Sequence, residues 1–600
     1  MSAAAVEALR EAEVGRGDLV ALAVAPGVGL GMVVPRPGGL RQALALAADD
    51  PAAVVAAVDA ALRPRWVVWS KATASTLVRA GVRIATCWDV AAVHRLLFGG
   101  WHDEPARTWA AVHDLDPGSI PAAGRLDLFS QAAEAAGPDP EGPVRADGHL
   151  SPEWTGGGWA ASPDRLARWA ELAAQVAELQ QSLLADLAAH PEATDGHDGG
   201  DEARPHVLAT VRSESTTELL CAELEVDGLP IARDVAEAII AGFAGPRPRS
   251  EADAARERAR RDAEVLRHAP EGSRFDLRSP GQVKSLLRRI GIEVPDTRAW
   301  RLEGLRGEHP LVEALLVWRK AERMATTYGY AWLDEHLGAD GRLRGTWSGS
   351  DGAAGRMTAS AGLHNMPADM RAAVVAEPGH VFVRADLGQI EPRVLAAVSG
   401  DRALAAAAEA DDMYAPVAAQ LGVDRATAKV AVLGAMYGQT TGHGAQVLPR
   451  LHAAYPVAMA YLDAGDRAGQ TARDLRTFGG RRVRMGSGAI APDETGEREA
   501  RGRAAARGRY GRNALVQGAA AELFKVWAVT VRARGAALGA RIVLCLHDEL
   551  LVHVPEPAGD DAAQLVADGL QEAGHRWSPT TPVRLVADLS VIPTWSDAKG

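Results

Sequence analysis

The sequence predicts a multidomain α/β protein, and three observations carry that prediction. Its 600 residues exceed what a single hydrophobic core organises, because domains commonly hold roughly 100 to 200 residues. A run of Asp, Gly, His, Glu and Pro from His190 to Pro205 has almost no apolar surface to bury and reads as a linker. Beyond it a helical stretch gives way, from Val381 onward, to alternating strand and helix patterns. The expected division is residues 1–190, a linker at 191–206, and a larger region over 207–600.

Ahead of the linker, Leu19 to Val24 and Gly29 to Val34 read as short strands joined by a Pro-Gly turn, and Trp66 to Trp69 as another. Leu166 to Leu187 has helical spacing, and Gly137 to Gly158 is a second Gly/Pro-rich interruption. After the linker, Thr217 to Val226, Ala232 to Ala241 and Glu251 to Leu266 read as helices, the last charged enough to be exposed on most of its circumference. Phe275 to Ile292 and Leu311 to Leu333 continue the helical pattern.

With 47% hydrophobic and 24% charged residues the composition is globular, excluding a collagen-like, coiled-coil or wholly disordered chain. The net charge of −12 argues against indiscriminate binding to polyanions. Local charge matters more: arginines crowd the stretch from Arg473 to Arg512, including Arg481, Arg482 and Arg509, and read as a phosphate-tracking surface rather than a merely solvated one. Its acids cluster mainly at Asp493 to Glu499. The cysteines Cys87, Cys221 and Cys545 lie far apart, so neither a zinc site nor a disulfide framework is expected. The first twenty residues carry Glu7, Glu11, Glu13 and Asp18 instead of an export pattern, and no run of about 18 apolar residues occurs. The expectation is a cytoplasmic protein without a membrane partner.

Two segments carry acids in positions suited to metal binding. Val381 to Asp386 is a β-like run ending in an acid, followed by Leu387 to Arg393 and an apolar helix. Far downstream, apolar Arg541 to Leu546, polar His547-Asp548-Glu549 and apolar Leu550 to Val554 read as a tight hairpin with acids at its tip. Magnesium prefers a few carboxylate oxygens completed by phosphate and water, so two aspartates on separate strands suit a two-metal phosphoryl transfer. Each acid alone reads more readily as a turn residue or helix cap; the case rests on the combination.

Between them lies Asp424 to Gly438, with Asp424 as N-cap and Arg425, Lys429, Leu433 and Tyr437 at intervals of four. Such spacing drifts about 40° per step, so the four side chains share roughly a third of the circumference. Cations there suit phosphates, and an apolar and an aromatic side chain suit a base or sugar. An amphipathic packing helix is the alternative. Gln439 to Gly442 reads as a loop after the helix end.

These three segments, in this order, resemble the signature motifs of family A DNA polymerases. Asp386 through Arg393 is similar to the first motif, Arg425 to Gly438 to the second, and His547-Asp548-Glu549 to the third. Gly355-Arg356, His364 to Pro367 and Asn513 to Gly518 match further. The resemblance covers roughly Glu218 to Lys599 and is weakest between Pro246 and Glu308. It implies a right-hand polymerase with a thumb at about 217–337, fingers at about 403–484 and a palm from the remainder.

It further implies a catalytic group of Asp386, Asp548 and Glu549, with two Mg2+ ions on Asp386 and Asp548. Arg425, Lys429, Leu433, Tyr437, Gln389 and His547 would meet the deoxynucleoside triphosphate, and Glu391 would fill the space of a ribose 2′-hydroxyl. Arg356, Asn365, Arg509, Asn513, Gln517, Arg481 and Arg482 would contact the DNA primer-template. Leu387-Gly388 replaces the usual Tyr-Ser, Pro392 replaces Leu, Leu433 stands where an aromatic often stacks, and Tyr414 where many relatives have His. None removes a metal ligand.

The implied role is DNA replication or repair by a monomer at the nucleoid; a catalytically silent DNA-binding module and a single-subunit RNA polymerase are the alternatives. Residues 1–190 resemble a ribonuclease H-like 3′–5′ exonuclease domain whose chemistry is absent. The only Asp-x-Glu before the linker is Asp139-Pro140-Glu141, in a loop, Ala72 to Leu77 offers no acid, and Asp89 reads as a helix cap. The acid-bearing first strand is expected to be missing ahead of Leu19. The prediction is a scaffold without proofreading.

Overall fold

A computed structural model describes the chain except residues 36–40, 122–141, 190–206, 273, 439–442, 487–496, 580–582 and 599–600. The expected linker, the Asp139 to Glu141 loop, the loop after Tyr437 and the acids Asp493 and Glu494 therefore lie outside the described residues. Two compact units form: Met1–Asp227 with Thr346–Thr358 and Val383–Val591, and a smaller one of Gly228–Gly345, Ala359–Phe382 and Ile592–Gly600.

The front of the larger unit is built on five strands in the order β3-β2-β1-β4-β5. They are β1 (Leu19–Ala25), β2 (Gly29–Pro35), β3 (Arg41–Ala47), β4 (Arg65–Val68) and β5 (Cys87–Asp89). β1 is central, antiparallel to β2 and parallel to β4. Its side chains alternate between two cores: Val20, Leu22 and Val24 face one cluster, Ala21, Ala23 and Ala25 the other. The alanine face leaves room for Trp69, Trp88 and Trp169. Gly31 of β2 lies so close to the Pro163–Ala189 helix that a Cβ would sit 2.1 Å from the Ala167 nitrogen. A helix, Ser2–Glu11, precedes β1. As expected, no strand precedes Leu19 among the described residues; β1 is the first strand of the sheet, and its residues are Leu, Val and Ala only.

The second sheet of this unit has four strands in the order β7-β8-β6-β9, namely β6 (His380–Leu387), β7 (Arg541–Leu546), β8 (Glu549–Pro555) and β9 (Ala587–Ile592). β7 and β8 form the expected antiparallel hairpin, with Leu546 opposite Glu549 and His547-Asp548 as its tip. The helix expected to open at Thr217 begins earlier, at Val207, and belongs to this unit, where the Cys87 thiol donates to the Ser215 carbonyl at 3.1 Å. The helix Glu497–Gly535 is long and apolar enough over part of its length to cross a membrane, but that window is 89% buried and packs as a core helix.

The smaller unit is mainly helical, with Arg233–Ala244, Glu251–Leu266, Pro280–Arg289, Pro310–Thr327 and Tyr330–His336. Glu251–Leu266 buries only Val265, as its charge pattern requires. Val283, Leu287, Leu311 and Leu315 form part of the core.

Candidate active site

The site lies within the larger unit, where the end of β6 meets the β7–β8 tip. The Leu387 amide donates to the Asp548 carbonyl at 2.8 Å, which pins the strand end carrying Asp386 against the tip carrying Asp548. Arg384 and Asp386, two residues apart on β6, point to the same face. The buried Arg384 guanidinium donates to Glu549 at 2.9 Å, to Asp588 at 3.1 Å and also to Asp386. Even so, burial and then the Asp548 carboxylate push Asp386 up to about 6. Asp548 is pushed up as well, by burial and then by Glu549. Carboxylates raised by burial and by neighbouring carboxylates in a half-buried place lack positive charge, which a divalent cation supplies.

Glu549 departs from the expected catalytic grouping. It is 5% exposed and engaged by Arg384, so it braces the guanidinium and does not line the open cavity. That cavity, about 310 Å3, is lined by Asp548, His547, Glu391, Gln389, Leu433 and Tyr437 among others. Asp424 caps the Arg425–Tyr437 helix through the Thr427 amide at 2.9 Å, and Gly438 ends it in the left-handed conformation at φ 66°. A Cβ on Gly438 would sit 2.8 Å from Cγ of the exposed Arg509, so side chain and glycine fit together. Leu433 and Tyr437 reach the cavity while Arg425 and Lys429 continue the same face outward and are exposed. Among the described residues no acid pairs with Lys429, whereas Arg425 is held by Asp412.

Glu391 is fixed at both oxygens: Arg356 donates at 3.0 Å and the Tyr437 hydroxyl at 2.7 Å. Burial and this contact push the Tyr437 phenol up, and Gln517 hydrogen-bonds the same hydroxyl. Burial, then Arg356, lowers His547. Arg356, Gln517 and Tyr414 also line the cavity. Asn513 is half-buried on the Glu497–Gly535 helix. Asn365 lies in the smaller unit, exposed, its carbonyl accepting from Arg323 at 2.6 Å.

The arginine-rich stretch needs correction as a DNA surface. Arg481 is 2% exposed and pairs with Glu214, which also accepts from Lys525 at 2.8 Å; a buried, paired guanidinium tracks no phosphate. Arg482 pairs with Asp474 at 2.8 Å. Arg484 and Arg476 donate to the Phe98 carbonyl at 2.8 Å and the Leu97 carbonyl at 3.4 Å, tying this segment to the front sheet's layer. Two site residues escaped the sequence reading. Arg384 carried a signal, its spacing of two from Asp386 on a strand; Asp412 carried none beyond a helix-cap pattern.

A family model for DNA polymerase family A matches residues 249–597. The chain belongs to DNA polymerase family A. Within the family it is 30% identical over 382 residues to the thermostable DNA polymerase I of Thermus filiformis, covering 57% of this chain and 44% of that relative. It is 32% identical over 326 residues to DNA polymerase I of Chloroflexus aurantiacus, covering 49% and 33%. This family A chain thus spans less than half the length of these curated relatives. Among solved structures it is similar to the POL domain of Pol1 from M. smegmatis, in complex with DNA primer-template and dNTP. The TM-score is 0.64 at 21% identity, over 99% of this chain and 98% of that one. That likeness gives the multidomain α/β family A fold over both the front sheet and the polymerase region.

Proposed function

We propose that this chain is a template-directed DNA polymerase that joins deoxynucleotides to a primer 3′-hydroxyl, with two Mg2+ ions held by Asp386 and Asp548. The observation that carries the reading is the pair of carboxylates at one strand end and one hairpin tip, both pushed up, beside a cavity shared with the Arg425–Tyr437 helix. Hard carboxylate oxygens short of positive charge fit magnesium. When bound, the ions supply Lewis acidity at the attacking and leaving oxygens.

The chain's own residues bind and orient. Arg425 and Lys429 grip the β- and γ-phosphates, Leu433 and Tyr437 cover the base, and His547 stands by the primer end. Glu391, held by Arg356 and Tyr437, occupies the space of a ribose 2′-hydroxyl and selects deoxynucleotides. Gln517, Asn513 and Arg509 follow the nascent duplex. Asn365 is a separate DNA contact of the smaller unit, whose helices we assign as the thumb. The bond formed joins the primer oxygen to the α-phosphorus; the bond broken releases pyrophosphate.

We also infer that the front domain is an exonuclease-type scaffold without proofreading. Its central strand is acid-free, and Asp89 is buried as a cap on the Ala92 amide at 2.8 Å. One experiment tests both parts. In primer extension with magnesium, Asp548→Ala binds primer-template but extends at least about a hundredfold more slowly; equal rates would overturn the polymerase assignment. Wild type given an end-labelled mismatched primer and no nucleotide leaves it intact, and shortening of that primer would overturn the scaffold assignment.

A further inference from the structure

Asp412 sits where three parts of the site meet. One carboxylate oxygen accepts from Gln389 Nε2 at 2.9 Å, from Arg425 Nη2 at 3.2 Å and from the Tyr414 amide at 3.2 Å. The other accepts from Arg425 Nε. The Arg425 guanidinium also lies 5.8 Å from the Tyr414 ring centroid. Gln389 answers in turn: its Oε1 accepts from the Met413 amide at 2.9 Å. Arg393, fully buried on the helix that begins at Ile390, donates to the carbonyls of Ala410 at 2.8 Å and Asp411 at 2.7 Å, so the turn carrying Asp412 is fixed from behind.

Gln389 is backbone-strained. It holds φ 57° and ψ 39°, the left-handed region that a non-glycine residue adopts at a cost. Its two side-chain bonds to the 412–413 turn hold it there together with Arg393, whose guanidinium donates to the same Oε1 at 3.5 Å, and it stands two positions before Glu391. The Arg425 end of the network is different in kind. The guanidinium is 56% exposed and its carboxylate partner 34% exposed, so the pair is screened and weak enough for a multiply charged ligand to displace.

We propose that Asp412 is a positioning residue with two separable duties: it parks Arg425 until a triphosphate takes the guanidinium, and it holds Gln389, and through it Glu391, in place. The inference rests on the nucleotide-binding reading of this site. Triphosphate binding breaks the Asp412–Arg425 pair, while the Gln389 bond to the same carboxylate persists. Arg425 is therefore contested, and Asp412 sets a threshold for nucleotide capture.

The two duties separate by substitution. Asp412→Asn removes the charge that competes for Arg425 but keeps an oxygen for Gln389 Nε2; Asp412→Ala removes both. In calorimetric titration of the full chain with inorganic tripolyphosphate, without DNA, Asp412→Asn binds about three- to fivefold tighter than wild type, the range a screened ion pair gives. The gain vanishes in an Arg425→Ala background. Unchanged or weaker binding by Asp412→Asn, or a gain that survives Arg425→Ala, would overturn the proposal. In primer extension, Asp412→Ala loses preference for deoxy- over ribonucleotides while Asp412→Asn keeps it; equal discrimination by the two variants would overturn the second duty. Thermal melting near wild type guards against misfolding. A wild-type chain that shows the Arg425-dependent titration but extends no primer supports the parking duty and sinks the polymerase reading.

Discussion

The larger unit contains two clusters of acids and cations whose charges are matched in opposite ways. In the first, Glu214, Arg481 and Lys525 are at most 3% exposed, and every charge has a partner: Glu214 accepts from Lys525 at 2.8 Å through both oxygens and from Arg481 besides. In the second, Asp548 lines an open cavity with Asp386 on the strand end pinned against it, and one guanidinium, Arg384, is divided among Asp386, Glu549 and Asp588. The buried cluster is closed; the open one is short of positive charge. A protein retains uncompensated acids where something else supplies the charge, so the mismatch itself marks the functional site. The front sheet completes the contrast, since its central strand carries no acid.

The largest effect is expected in the closed cluster. Lys525→Ala leaves Glu214 with Arg481 alone in a fully buried place, and removing one partner of such a pair costs about 3–5 kcal/mol. Urea denaturation checks this, with the front sheet expected to loosen as well, because the helix carrying Glu214 packs on β5 through Ser215. A loss below about 1 kcal/mol would show that the cluster is not a matched structural unit.

Which parts were legible in the sequence follows from the same distinction. The acids of the site, the Asp424 cap and the i, i+4 stripe down to Tyr437 are local patterns, and the structure realises them as a strand end, a hairpin tip and a capped helix. Arg481 was misread because burial is not a local property: nothing in Arg481-Arg482 distinguishes the 2% exposed guanidinium from its half-exposed neighbour. The partner that decides it, Glu214, is distant in sequence. β3 was missed because Arg41–Ala47 alternates Leu with Ala, which has low strand propensity, and pairing with β2 decides the outcome. Asp412 escaped because its two side-chain partners, Gln389 and Arg425, come from separate segments.

A smaller effect tests how tightly the closed cluster is balanced. Glu522, 1% exposed, accepts from Thr477 Oγ1 and from the Gly479 amide at 2.7 Å, yet burial pushes it up to about 7 from an ordinary 4.5. A carboxyl raised in the folded state binds its proton more tightly there than in the unfolded chain. Its stabilising contribution is therefore full below pH about 4.5 and lost as pH rises through about 7. Wild type should lose up to ~3 kcal/mol across that window through this group. Glu522→Gln should flatten the dependence, as read by denaturation at pH 5 and pH 8; an unchanged slope would place the titration elsewhere.

The smallest effect concerns the open cluster and separates it most sharply from the closed one. Asp386→Asn removes a charge that burial and Asp548 already disfavour, so no structural partner is stranded beyond Arg384, which keeps Glu549 and Asp588. The variant should melt at or above the wild-type temperature in metal-free buffer, unlike Lys525→Ala. Saturating magnesium should then stabilise wild type by about 1–2 kcal/mol, since an ion that binds only the folded state adds its binding free energy, and should stabilise Asp386→Asn much less. Equal stabilisation of the two proteins would mean that magnesium is bound away from Asp386. A fall in melting temperature without metal would mean instead that Asp386 belongs, like Glu214, to the structural charges of the fold.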